Sequence, residues 1–273
     1  MATDYAVKYS TVIDERFKKE ALTGPAVNNN YDFLGVQTVK VYSIATSPMT
    51  DYQMTGNSRY GTPAELEAPT QELTLSRDRA FTFTIDARAT ADTNGALEAG
   101  QALQRQLDEV VIPEIDAYRL GKLVAGAGKV ENAAVTRELL YSDFLTGNAV
   151  LNDNKVPLAG RMAFVNSQFY TALKLGKFLT EGDMAQDIKI KGAIGMVDGV
   201  TLIQVPQSYL PENTWFIITH PVAMVSPVKL AEYKIHDNPP GINGKLVEGR
   251  VYYDAFVLNN KKPAIYVRQG TTA

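Results

Sequence analysis

A chain of 273 residues, 45% hydrophobic and 21% charged, is long enough for one large core or two modest ones. Its 27 basic and 30 acidic residues leave a net charge of -3, which argues against the basic stripe of a nucleic-acid binder, and the lack of cysteine excludes disulfides, thiolate metal sites and a cysteine nucleophile. No stretch approaches the ~18 apolar residues of a membrane span, and the opening Met-Ala-Thr-Asp-Tyr lacks the basic-then-apolar order of a secretory signal, so neither is expected.

Residues 1–35 read as an extended arm with a short helical stretch at Asp14–Glu20, broken by Gly24-Pro25 and Asn28-Asn29-Asn30. Val36–Ile44 is β-branched and predicts a strand. Residues 73–86 alternate with period two: Leu73, Leu75, Phe81, Phe83 and Ile85 share one face with Arg77 and Arg79, while Thr74, Ser76, Asp78, Thr82 and Thr84 take the other. Because Arg77-Asp78-Arg79 is polar on both faces, the strand is expected to leave the core there. Between the two strands lie residues 45–72, rich in proline and glycine and poor in aliphatic side chains. A hairpin needs only ~2–5 loop residues, so a connection this long is functional, disordered or packed on another subunit. Tyr52, Tyr60, Met49 and Met54 give it something to pack with, and Arg59, Glu65 and Glu67 give it charges to pair across an interface. Arg77 and Arg79, on an otherwise apolar face, also need partners and are expected to find carboxylates on a neighbouring copy.

Asp92, Thr93 and Asn94 offer helix caps, and Leu97, Leu103, Leu107, Val110, Val111, Ile115, Tyr118 and Leu123 then fall near helical spacing. A helix over 95–124 would span about 45 Å. Pro113 should kink or open it near Glu109, since proline has no N–H to donate four residues back. Gly121, Gly126 and Gly128 end it. Beyond it the pattern is mixed: a helix over 134–151, a strand over 162–165, a helix capped by Asn166 or Ser167 and running to Leu173, strands over 200–205 and 215–219, and a hairpin of 250–258 with 263–268 across Asn259–Lys262.

Chemistry is hard to place. His220 and His236 are the only histidines, and no His-Glu-x-x-His pattern or carboxylate cluster has metal-ligand spacing. Gly126-Ala127-Gly128-Lys129 glances at a phosphate loop, but Val130 stands where Ser or Thr belongs and a helix precedes it where a strand is required. No Gly-x-Ser-x-Gly elbow is present. These residues call for no catalytic group, cofactor or metal.

Three segments in order resemble the major capsid proteins of tailed bacteriophages, which share the Hong Kong 97 fold. They are the long hairpin followed by a long helix; Val156-Pro157-Leu158-Ala159-Gly160-Arg161 with the strand and helix after it; and Gly249-Arg250-Val251-Tyr252-Tyr253-Asp254-Ala255-Phe256-Val257-Leu258 near the C-terminus. The resemblance implies an α+β fold with an N-terminal arm over 1–35, an extended loop over 36–92 that reaches a neighbouring subunit, a spine helix of the peripheral domain over 93–129, an axial domain over 130–245, and C-terminal strands over 246–273 returning to the peripheral domain. It implies hexamers and pentamers of one chain, closed into an icosahedral shell around double-stranded DNA and assembled in the host bacterial cytoplasm. The partners it implies are the chain itself, a portal, a separate scaffolding protein and a decoration protein. Some relatives carry a long N-terminal scaffold; here about 35 residues precede the first strand, hence the separate scaffold or an already processed chain. Residues 45–72 hold no lysine, so the lysine cross-link some relatives make from this loop is not expected. A rival with the same fold is an encapsulin nanocompartment. A tail or adaptor component and a metabolic enzyme are more distant ones.

Overall fold

The computed structural model describes residues 21–28, 31, 38–43, 46–63, 65–66, 68–92, 98–136, 139–175 and 193–271. The helix expected at Asp14–Glu20 and the caps Thr93 and Asn94 lie outside the described residues. The chain divides into two compact units, Phe33–Leu75 and a body made of Met1–Asp32 with Ser76–Ala273.

The smaller unit is a hairpin. Strand β1 (Thr38–Tyr42) pairs antiparallel with β2 (Thr70–Thr74), in register from Thr38 opposite Thr74 to Tyr42 opposite Thr70. The Thr38 and Thr74 hydroxyls meet at 2.9 Å and Lys40 Nζ lies 2.8 Å from Glu72 Oε1. Both pairs are exposed, so each adds little to stability.

After the hairpin the body resumes with β3 (Arg77–Asp86) and a short helix α1 (Ala87–Asp92). The alternation over 73–86 is therefore two strands rather than one, interrupted at Leu75-Ser76, where the chain changes partners: β2 pairs with β1, whereas β3 pairs with β11. Helix α2 (Ala99–Gln106) runs without a break into a π-helical turn at Leu107–Val111 and then α3 (Ile112–Ala125). The wide turn sits immediately before Pro113, because without an N–H at 113 the regular i→i−4 ladder cannot continue to Glu109. Gly126 closes α3, its N–H bonded to Lys122 O at 2.9 Å. At Gly128 the backbone passes so close to Lys262 O that a Cβ would lie 2.5 Å from that oxygen. The phosphate-loop glance at these glycines is thus a helix stop.

Next come β4 (Lys129–Asn132), α4 (Leu140–Asp153), β5 (Met162–Val165), α5 (Ser167–Leu175), β6 (Ala193–Val197), β7 (Val200–Gln204), β8 (Thr214–Thr219), β9 (Met224–Val225), β10 (Val228–Asp237), β11 (Gly244–Tyr253), β12 (Phe256–Val257) and β13 (Ile265–Gln269). Asn166 caps α5 as expected, its Oδ1 accepting from Phe169 N at 2.7 Å. A six-stranded mixed sheet has the order β4-β13-β8-β5-β7-β6, and a three-stranded antiparallel sheet the order β10-β11-β3. Period two splits the large sheet's core. Phe164, Ile217 and Val267 face a cluster with Leu120 and Leu123 of α3; Val165, Phe216, Ile218 and Tyr266 face Phe144 of α4 and Phe169 of α5. Each such side chain contributes roughly 1.5–3 kcal/mol by burial. A third cluster packs Leu103, Leu107, Ile112 and Ile115 against Ile85, Val247 and Val251 of the smaller sheet. One long helix therefore serves both sheets, the first half on β3-β11-β10 and the last turns on the six-stranded sheet.

The expected C-terminal hairpin does not form. β11 ends at Tyr253, β12 pairs with β9, and Asn259–Ala264 winds into a 3-10 helix containing Pro263. β13 then enters the large sheet between β4, parallel, and β8, antiparallel. Ile265, Tyr266, Val267 and Arg268 are all buried, and a strand buried on both faces belongs inside a sheet rather than in a surface hairpin.

Candidate functional site

No enzyme-like centre gathers from the sequence candidates. His220 accepts from Val222 N through Nδ1 at 3.2 Å and places Nε2 3.1 Å from Ala159 O, so it ties two turns together. His236 lies 3.3 Å from Glu248 on the exposed face of the small sheet. Among the described residues no group of three His, Asp or Glu side chains has metal-binding geometry, and no helix is long and apolar enough to cross a membrane.

The residues picked for inter-subunit contact fall into two groups. Tyr52, Arg59, Tyr60 and Glu65 lie in the connection between β1 and β2, which contains no strand among its described residues; Glu67 lies outside the described residues. This connection nevertheless has local order. Gln53 N donates to Arg59 O at 2.9 Å, Thr50 Oγ1 donates to Tyr60 O at 3.1 Å, and Arg59 Nε donates to Gly56 O at 3.2 Å. Gly56, at φ 99°, makes the reversal that a residue with a Cβ resists. The Tyr52 and Tyr60 rings meet edge to face at 5.0 Å. Despite this frame, Met49 is 99% exposed, Met54 84% and Tyr60 86%.

Arg77 and Arg79 form the second group, and their need for a partner is met inside the chain. Arg77 Nη2 donates to Glu114 Oε1 at 2.7 Å and Arg79 Nε to the same oxygen at 2.8 Å. Arg77 Nε also donates to Tyr253 Oη at 2.9 Å, and its guanidinium lies 4.4 Å from the Tyr118 ring centroid. Burial pushes the Glu114 carboxyl up, but the two arginines outweigh it and hold the group below its ordinary value. Glu114 follows Pro113, so the first turn of α3 is fastened to β3 beside the π-helical opening. Glu114, 37 positions from Arg77, gives these arginines a carboxylate within the chain, a partner that periodicity did not show.

Four further polar clusters were not anticipated. On α3, Ile112, Ile115, Asp116, Arg119, Leu120 and Leu123 are all buried; two charges on a core stripe of i, i+3, i+4, i+7 spacing were the available signal. Asp116 accepts from Leu22 N at 2.9 Å and from Thr23 Oγ1 at 2.5 Å, while Arg119 donates to Ser226 Oγ at 2.9 Å and to Thr23 Oγ1 at 3.2 Å. Burial raises Asp116 above the ordinary carboxylate range against the pull of Thr23 and Arg119. Arg161 closes its own turn, donating to Pro157 O at 2.9 Å, Val156 O at 2.5 Å and Asn148 Oδ1 at 2.5 Å. Arg268 donates to Asp143 Oδ2 at 2.9 Å and to Ala133 O at 3.0 Å, joining β13, α4 and the chain after β4. Asp254 accepts from Tyr118 Oη, Ala255 N, Ser76 N and Ser76 Oγ at 2.7–2.9 Å. Burial opposes its charge, but these donors prevail and its carboxyl lies below the ordinary value. The Val156–Arg161 and Gly249–Leu258 motifs are thus structural: one wraps a turn around a guanidinium, the other delivers a carboxylate to the end of a strand.

A fold of this kind has known counterparts. The fold is similar to a structure from Mycobacterium phage Che8 at 16% identity and TM-score 0.69, with 89% of each chain covered. It is similar to the capsid of the cyanophage P-SCSP1u at 10% identity and TM-score 0.67, covering 87% of this chain and 84% of that one. A virus-like particle from Pyrococcus furiosus matches at 11% identity and TM-score 0.62, covering 98% of this chain and 100% of that one. No curated protein matches the sequence. At such identities the structural likeness shows the fold alone; the family comes from the sequence, whose residues 68–267 match the family described as phage capsid protein. That match spans most of the chain, both motifs and the long helix, and by it the chain belongs to the phage capsid protein family.

Proposed function

We propose that this chain is the major capsid protein of a tailed double-stranded DNA bacteriophage, self-assembling into the hexamers and pentamers of an icosahedral shell that encloses the genome. The observation that carries the reading is the loop between β1 and β2, which holds Met49, Met54 and Tyr60 almost fully in solvent on a hydrogen-bonded frame. Exposed apolar side chains on an ordered loop mark a contact surface, and a neighbouring copy is the surface a shell supplies. In this reading residues 1–35 are an arm, 36–92 the extended loop, 93–129 the spine helix of a peripheral domain, 130–245 an axial domain and 246–273 strands returning to the periphery. The role is packing, in which many weak contacts act together through closed symmetry, and it needs no catalysis. Portal, scaffolding and decoration proteins are the partners it calls for, in the host cytoplasm.

The Pyrococcus furiosus likeness, which covers both chains almost fully, favours a second reading as the shell of an encapsulin-type compartment. Electron microscopy of particles made with the neighbouring genes, with their nucleic acid and protein content measured, separates the two. Closed shells filled with DNA support the phage reading. Closed shells holding a cargo protein and no genome support the second, and rings or tubes would point to a tail or adaptor role and overturn both.

A further inference from the structure

The motif around Asp254 ends β11, yet its carboxylate reaches past that strand. The side chain is 1% exposed and its two oxygens accept from four donors, which fills a carboxylate's lone-pair sites. Two of those donors, the N–H at 2.9 Å and the Oγ at 2.8 Å, belong to Ser76. Ser76 lies between β2, which ends at Thr74, and β3, which starts at Arg77, and it is the first residue of the body after the loop unit ends at Leu75. The β3–β11 ladder stops with Arg77 opposite Tyr253. The residue that follows β11, Asp254, continues it with a side chain instead of a strand. The carboxylate is itself braced from α3 by Tyr118 at 2.7 Å, and its own backbone carbonyl accepts from Ser226 Oγ at 2.8 Å.

We propose that Asp254 is a clamp that fixes the point where the loop unit Phe33–Leu75 leaves the body, acting on Ser76 as a positioning residue rather than on the strength of the sheet. Its consequence for shells rests on the proposed function above; the clamp itself does not. Losing it frees the loop's root while β3 and β11 stay paired, and shells built from such chains lose a uniform geometry.

The test is hydrogen exchange on the unassembled full chain, followed by microscopy of assembled particles. Asp254→Asn keeps the shape but removes the charge and leaves one acceptor oxygen for four donors, so exchange over residues 74–77 should rise about tenfold or more, with 80–86 and 246–252 unchanged. Tyr118→Phe removes a brace from the same carboxylate but leaves both Ser76 bonds, and should leave 74–77 within about threefold of wild type. Ser76→Ala, which removes one of the two clamped groups and spares the buried carboxylate, should raise exchange there by an intermediate factor and covers the case of an Asp254→Asn chain that does not fold. Unchanged exchange at 74–77 in Ser76→Ala and Asp254→Asn, or an equal rise in Tyr118→Phe, would overturn the clamp. Raised exchange with particles of undiminished uniformity would keep the clamp and remove the loop unit's part in shell geometry.

Discussion

Arg161 is 1% exposed and keeps a permanent charge, with oxygens from Pro157, Val156 and Asn148 around its guanidinium. Truncation to alanine would strand those acceptors inside the body, a loss of about 3 kcal/mol or more, so thermal unfolding of the unassembled Arg161→Ala chain should fall by roughly 6 °C or more. Arg161→Lys should recover little of it, because one ammonium cannot span the same acceptors; full recovery by lysine would show that charge alone matters. Acid should act through Glu114 and Asp254, both held below their ordinary values. A depressed carboxyl contributes stability that is present above its unfolded value and lost as pH falls through its folded one, so the denaturant midpoint should drop below about pH 4. Asp116, raised by burial, has the opposite sign and should partly offset that drop; Asp116→Asn removes this term, and an acid profile steeper than wild type is the expected result. The sequence displayed all of these charges but not their partners, since Asp254 and Ser76 stand 178 positions apart and only the folded sheet brings them together.

Elements whose cause is local were legible. Pro113 announced the opening of the long helix, and it lies over Leu107–Val111. Asn166 announced α5, and the runs at 200–205 and 215–219 became β7 and β8 of the large sheet. Elements defined by a distant partner were not. The alternation over 73–86 continues through Leu75-Ser76 as if one strand ran on, because period two records faces and says nothing of which strand lies alongside. The polar Asn259–Lys262 looked like a hairpin turn for the same reason, while β13 found its partners in β8 and β4. The β3–β11 pairing carries a direct test. Gly249 lies opposite Phe81, and a Cβ there would stand 2.3 Å from that ring. Gly249→Ala should cost about 1–3 kcal/mol, and adding Phe81→Ala should relieve part of that cost, giving a non-additive cycle in chemical denaturation. Additive losses would mean that the ring does not fill the glycine's space.

For the whole molecule, residues 68–267 match the phage capsid protein family, and the fold is similar to a structure from Mycobacterium phage Che8 and to the capsid of the cyanophage P-SCSP1u at TM-scores of 0.69 and 0.67. What makes a shell from such chains is the proposal, and it rests on the loop. Tyr60→Ala with Met54→Ser should leave the unfolding temperature of the isolated chain within about 1 °C, since exposed side chains contribute little to folding, yet should reduce the yield of closed particles in sedimentation. An undiminished yield would remove these side chains from the assembly contact. The most direct measurement is hydrogen exchange over residues 46–63 in the unassembled chain and again in closed shells. Burial of this loop on neighbouring copies predicts at least about tenfold slower exchange in the shell; closed shells in which these amides exchange as fast as in the free chain would contradict it.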